Sequence, residues 1–184
     1  MATGLIWDER CMWHNAGQYI GPLEGNPWVE PLSSLENANG KRRIKNLLDA
    51  SGLTDSLTQI QCTQATETDI LRVHSSDYLD QVQKISDADG GNLAKRFGAT
   101  QIGKNGIGIA LLAAGGTISA VKSVLEGKVD NAYALIRPPG HHAEPEEAMG
   151  FCVFANAALA GKYALNEANI QRIAFVDWDV HHGN

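Results

Sequence analysis

Residues 172–184, RIAFVDWDVHHGN, decide how the rest of the chain is read. Ile173, Phe175 and Val176 form an apolar run of strand formers without Gly or Pro, which predicts a buried β-strand. Side chains alternate between faces along a strand, so Asp177, Asp179 and His181 fall on one side. Desolvating two carboxylates and an imidazole beside a core is costly unless a cation or hydrogen bonds compensate. A divalent metal does so, because carboxylate oxygen and imidazole nitrogen are both ordinary zinc ligands. The alternative is a strand that leaves the core with its Asp and His residues solvated. Three such residues on one face favour the metal site.

With 184 residues, 43% of them hydrophobic, the chain has the size of one domain with a sizeable core. A formal net charge of -6 and a pI near 5.4 offer no broad basic surface to nucleic acid. The basic cluster Lys41-Arg42-Arg43 is too short to alter that. Cys11, Cys62 and Cys152 are widely spaced and form no CxxC pair, so reduced thiols in a cytoplasmic setting are expected. Asp8 and Glu9 come early, without a basic start and apolar run, so no signal peptide is expected. The apolar stretch 107–114 is short and glycine-interrupted, and no membrane span is expected there.

Along the chain, residues 3–7 read as a first strand, 57–62 as a second and 131–137 as a third. Residues 41–50 are helical by pattern, with Ile44, Leu47 and Leu48 on one face and Gly52 as a stop. Thr66-Glu-Thr-Asp69 is a capping-box pattern, a helix begins near Ser75 or Ser76, and 107–125 is the clearest helix. Within it, Gly115-Gly116 suits close packing, and 154–165 forms a last helix. Residues 14–40 are irregular and glycine- and proline-rich, with Trp13, Tyr19 and Trp28 favouring an ordered, packed loop. Residues 85–106 read as a second surface excursion. Strands alternating with helices predict an α/β fold with a parallel sheet and right-handed crossovers.

In open α/β sheets ligands sit beyond the carboxyl ends of strands. The third strand delivers Arg137-Pro-Pro-Gly-His-His142 to that rim and the terminal one delivers the Asp177–His181 cluster. Pro138 and Pro139 stiffen the exit and Gly140 permits a sharp turn, holding His141 and His142 over the sheet. A tandem His in a loop is, alone, ordinary solvated surface; opposite a metal site it is a candidate proton carrier.

The strings RPPGHHA (137–143), MGFCVFANAA (149–158) and VDWDVHHGN (176–184) resemble the zinc-dependent histone deacetylase family, class II and its bacterial histone deacetylase-like amidohydrolases. TGLIWDERCMWH (3–14), KRRIKNLLDASGL (41–53) and RVHSSDYLDQV (72–82) extend the resemblance over essentially the whole chain. It implies the arginase/deacetylase fold, a three-layer parallel sheet flanked by helices. The related arginases use a two-manganese pattern that these strings do not match.

Carried over by position, the resemblance makes Asp179 and His181 zinc ligands and Asp177 the carboxylate that hydrogen-bonds His141. It makes Asn184 the residue orienting His142, His142 the general base and then acid, and His141 an electrostatic partner favoured in its charged form. Gly150 and Phe151 become walls of a narrow acyl-lysine tunnel, and backbone carbonyls around Asp177, Asp179 and His181 a potassium site. Arg43 becomes a candidate lining an internal product channel. Cys152 is read as a buried thiol, Asn156 as a helix-start or buried hydrogen-bonding residue, and Asp87 and Asp89 as solvated turn residues or a substrate-gripping rim carboxylate. The implied reaction is hydrolysis of an acetyl-lysine or acetylpolyamine amide, with no membrane or nucleic-acid partner; the oligomeric state stays open.

The family's third zinc ligand, an Asp, and its carbonyl-polarising Tyr have no matching positions in this sequence. The expectation is therefore an N-terminal part of a single deacetylase domain, 1–184, with an incomplete sheet, poor stability and no turnover on its own. The other reading is a non-catalytic interaction module that kept the pocket walls. Ala155 stands where the family's string commonly has Asn, and Asn37 and Asn39 where bacterial relatives have a His-Glu-Ser-Pro-like stretch.

Overall fold

The computed structural model describes residues 1–18, 28, 30–95, 100–167 and 170–184. Its centre is a three-stranded parallel sheet of β1 (Thr3–Trp7), β2 (Thr58–Ile60) and β5 (Asn131–Leu135), in the order β2-β1-β5. The register pairs Ile6 with Ile60 and Trp7 with Leu135, so Leu5, Ile6 and Leu135 are buried. Two short strands, β3 (Gly90–Asn92) and β4 (Gln101–Gly103), form a separate antiparallel pair. Segment 85–106 is therefore more than a surface excursion. Leu93, Thr100 and Ile102 all enter the core.

The helices are α1 (Ala38–Ala50), α2 (Glu67–Ile70), α3 (Ser76–Asp87), α4 (Ile107–Leu125) and α5 (Asn156–Glu167). Thr66 and Asp69 close the capping box at α2, and the Ser75 side chain caps α3. Helix α4 is the hub, packed against α5, β1 and β5. By length and composition it would pass for a membrane span, yet ten of its residues are buried inside the protein. Its Gly115 is where closeness is required: a Cβ there would lie 2.0 Å from the Thr63 carbonyl oxygen and 2.3 Å from the Ala65 nitrogen. One core gathers Tyr78, Val82, Ile102, Ile118, Phe154 and Leu159. A second joins Ile6, Cys11 and Cys62 to Leu112 and Ala113 of α4.

Two further expectations are corrected. Residues 170–178 form no strand, and Phe175 and Val176 are 63% and 81% exposed. The apolar run has strand-forming residues but no ladder partner, since β5 pairs with β1 alone among the described residues. Helix α1 forms where its pattern places it, and it buries none of its residues, Ile44 and Leu47 included. Trp13 and Trp28 are exposed, and Tyr19, with residues 20–27 and 29 of the 14–40 loop, lies outside the described residues.

Candidate active site

The turn after β5 is built from the inside. Arg137 is 2% exposed and forms a two-pronged ion pair with the buried Glu36, Nε to Oε1 and Nη2 to Oε2, each 2.7 Å. Its Nη1 donates to the Met12 carbonyl at 2.8 Å, anchoring the start of the loop. Asn156, the first residue of α5 and buried, donates from Nδ2 to the Pro138 and Pro139 carbonyls at 3.2 and 3.4 Å. Gly140 passes so near that a Cβ would lie 2.5 Å from the Asn156 nitrogen. Both readings offered for Asn156 therefore apply.

This turn presents His141 and His142 with ring centroids 4.0 Å apart. Each meets a residue of the 172–184 segment. His141 Nδ1 lies 2.8 Å from Asp177 Oδ2, and His142 Nδ1 lies 3.2 Å from Asn184 Oδ1. The Asn184 backbone N–H also donates to the His141 carbonyl at 3.0 Å. The His181 ring stands 6.2 Å, centroid to centroid, from that of His142.

Residues 177–181 reach this place through turns and not through strand alternation. The Asp179 N–H donates to Asp177 Oδ1 at 3.0 Å, and the His181 N–H donates to Asp179 Oδ1 at 2.9 Å. The His141 hydrogen bond, with help from the Asp179 N–H, holds the Asp177 carboxyl below its ordinary pKa; the His181 N–H does the same for Asp179. His181 Nδ1 lies 3.7 Å from Asp179 Oδ1, close enough for both to reach one cation. Carboxylate and imidazole suit zinc, but a catalytic zinc takes three protein ligands. Among the described residues no group of three or more His, Cys, Asp or Glu converges to hold a metal. The donor chemistry fits; the ligand set is incomplete.

Gly150 (φ 53°) and Phe151 (φ 67°) both occupy the left-handed region, and a Cβ on Gly150 would sit 2.2 Å from His142 Cδ2. Gly150 thus backs directly onto the His142 ring. Phe151 is held by its N–H, which donates to the buried Thr100 Oγ1 at 3.1 Å. Cys152 is fully buried, burial raises its thiol pKa, and its sulfur accepts the His142 N–H at 3.4 Å.

A cleft of about 900 Å³ opens on the other side of His141, between Ala134 and Ile136 at the sheet and Phe175 and Val176. Gly150, Phe151 and His142 are not part of its lining, so this cleft is not the expected acyl-lysine tunnel. Arg43 is exposed on α1, which does not fit an internal channel. Asp87 accepts from Gln83 Nε2 at 2.6 Å, and the Asp89 side chain is 97% exposed and pairs with Lys104.

Sequence reasoning missed four supporting residues. His74 is buried between Tyr78 and Phe154; its Nε2 accepts the Ala155 N–H at 3.0 Å, and Nδ1 lies 3.3 Å from the Pro145 carbonyl. Burial pushes its pKa down to about 4, so it is a neutral strut. Thr100, Glu144 and Met149 complete the set; Met149 opens the string MGFCVFANAA without a role being read from it, and no motif marks Thr100 or Glu144, which act through partners distant in sequence.

Comparison with known proteins finds relatives along the whole chain. Residues 34–184 match the histone deacetylase domain. The chain is 45% identical, over 99% of its length, to a histone deacetylase-like amidohydrolase of Pseudomonas aeruginosa, 48% of which is covered. It is 34% identical to histone deacetylase HDA1 of Saccharomyces cerevisiae, over 100% of this chain and 28% of that protein. It is 38% identical to the polyamine deacetylase HDAC10 of Danio rerio, over 85% of this chain and 24% of that protein. The solved HDA15 HD domain superposes with a TM-score of 0.77 at 28% identity, covering 91% of this chain and 44% of that one. The chain spans about half, or less, of the length of these relatives. With its parallel sheet flanked by helices and a family match reaching from Ser34 to Asn184, the chain belongs to the histone deacetylase domain family.

Proposed function

We propose that this chain carries the histidine half of a zinc-dependent amidohydrolase site that removes acetyl groups from acetyl-lysine. One observation supports it above the rest: the tandem histidines each bond through Nδ1 to a different residue of the 172–184 segment, Asp177 and Asn184. The Asp177 carboxylate, bonded to Nδ1, orients the His141 ring. A neutral amide oxygen on His142 leaves that ring free to take and return a proton. In this reading His142 takes the proton of the attacking water and later gives it to the leaving amine, while His141, oriented by Asp177, stabilises the developing oxyanion. Gly150 and Phe151 hold the acyl chain beside His142. Asp179 and His181 would supply two of the ligands for zinc, which, when bound, polarises the amide carbonyl and acidifies water. Backbone carbonyls around Asp177, Asp179 and His181 would take potassium.

The test is acetate release from an acetyl-lysine peptide by a zinc-supplied deacetylase domain that carries this segment together with a third zinc ligand, wild type against His142→Ala. General acid–base catalysis is worth about 10²–10⁴-fold, so the variant should lose at least about 100-fold. Equal release from both would overturn the reading. The likeness to polyamine deacetylases favours a second substrate, an N-acetylpolyamine, to be run beside the peptide. The incomplete ligand set favours a second function, binding of acylated lysine without turnover; peptide binding with no acetate released by any preparation would select it.

A further inference from the structure

We propose that Glu144 is a positioning residue that selects the tautomer of His142, acting through the side-chain amide of Asn184; this rests on the reading of His142 as the general base. The pair His142–Asn184 cannot fix the proton by itself. A primary amide carries an acceptor at one end and donors at the other, and either end can face an imidazole nitrogen. Facing with oxygen demands an N–H at Nδ1; facing with NH₂ demands a bare Nδ1.

Glu144 breaks the tie. Its Oε1 lies 3.1 Å from one end of the Asn184 amide, and the Met149 sulfur lies 3.4 Å from the same end. An ionised carboxylate only accepts, and a thioether is at most a weak acceptor, so that end must be the NH₂. The other end is therefore the oxygen, and it faces His142 Nδ1 at 3.2 Å. His142 must then carry its proton on Nδ1, which leaves the lone pair on Nε2, the atom a base needs.

The carboxylate is well placed to impose this because its backbone is fixed. The Glu144 N–H donates to the Glu147 carbonyl at 2.9 Å, and the Glu147 N–H returns to the Glu144 carbonyl at 3.4 Å. The next carbonyl, that of Pro145, takes the Ser75 N–H at 3.1 Å and lies 3.3 Å from His74 Nδ1, tying the turn to the start of α3. The arrangement also separates the two histidines. Asp177 places a charge directly on His141, whereas Glu144 stands one amide away from His142 and sets only the position of its proton.

The tautomer of His142 is read directly from long-range ¹H–¹⁵N correlations of the ¹⁵N-labelled protein at pH 8, where an ordinary imidazole is neutral. The wild type should show Nδ1–H. Glu144→Gln can still offer a carbonyl oxygen to Asn184 and should keep Nδ1–H. Glu144→Lys offers only donors, should invert the Asn184 amide, and should move His142 to Nε2–H; Glu144→Ala should give a mixture. The His74 and His141 signals serve as the folding control, and if Glu144→Lys fails it, Glu144→Ala carries the test. A wild type with Nε2–H, or Nδ1–H persisting unmixed in a folded Glu144→Lys or Glu144→Ala protein, overturns the proposal. The readout needs no turnover. An expected tautomer pattern with no acetate release would sink the deacetylase reading alone.

Discussion

Replacing Arg137 with Met should unfold the protein far more readily, and the structure gives the size of the effect. Arg137 is 2% exposed and the Glu36 side chain 6%, so the substitution leaves a buried carboxylate without its two 2.7 Å partners. Breaking one side of a buried pair costs about 3–5 kcal/mol, because the orphaned charge stays desolvated. The Met12 carbonyl also loses a 2.8 Å donor, worth about 1 kcal/mol. Lys41, at 3.6 Å from Glu36 and partly exposed, offsets some of this, which places the net near the lower end, about 3 kcal/mol. With a urea m-value of about 2 kcal/mol/M, the unfolding midpoint should fall by roughly 1.5 M. Arg137→Met/Glu36→Leu removes both charges and should recover a large part of that loss. A midpoint shift under about 0.5 M for the single variant would refute the argument, as would a double variant no more stable than the single one.

Gly150→Ala should cost about 1–2 kcal/mol for a side chain at φ 53°, yet about 100-fold in kcat/KM, because the new Cβ, 2.2 Å from His142 Cδ2, must displace that ring by about 1 Å; unchanged kinetics in a folded variant would show that Gly150 does not back His142. Thr100→Val removes, from a fully buried side chain, the acceptor of the half-buried Phe151 N–H and should lower stability by about 1–3 kcal/mol; thermal unfolding within error of wild type would disprove the role. Burial lowers the pKa of both His14 and His74 from 6.5 to about 4. On acidification the unfolded chain binds those protons first, so this stability is complete above about pH 6.5 and is lost as pH falls toward 4, on the order of 3 kcal/mol per histidine. Urea midpoints between pH 7 and 4 should show it, and a His74→Gln profile as steep as wild type would remove His74 as a cause.

The legible parts of the fold were those written in local chemistry. Thr66 and Asp69 close the capping box because both partners lie within one turn. Gly52 stops the region after α1 with φ 74°, and β1 and α4 have the extents their apolar patterns set. What was misread depends on partners far along the chain. Leu93, Thr100 and Ile102 look like loop residues between scattered glycines; Leu93 and Ile102 are buried in the core that α3 and α4 share, and Thr100 is buried beside Asn92 and Phe151. The same holds at the site. His141, His142, Asp177 and Asn184 announce themselves as motifs, whereas Glu144 and Thr100 matter through single hydrogen bonds spanning 40 and 51 positions.

The terminal segment shows how a site can assemble without the element expected to build it. Strand alternation would have aimed Asp177, Asp179 and His181 by a ladder, and here no ladder exists. Each aspartate instead accepts the backbone N–H two residues ahead, which makes the segment a succession of side-chain turns. Asp177 then divides its oxygens: Oδ1 holds the turn and Oδ2 holds His141. Asp177→Asn could keep only one of these bonds as it stands, since an amide has one acceptor where the carboxylate offers two. If the amide oxygen keeps the turn that carries Asp179 and His181 forward, its NH₂ can meet His141 only with Nδ1 bare, so the ring must change tautomer. The orientation of the tandem histidines and the approach of the metal donors are therefore one property, carried by a single carboxylate.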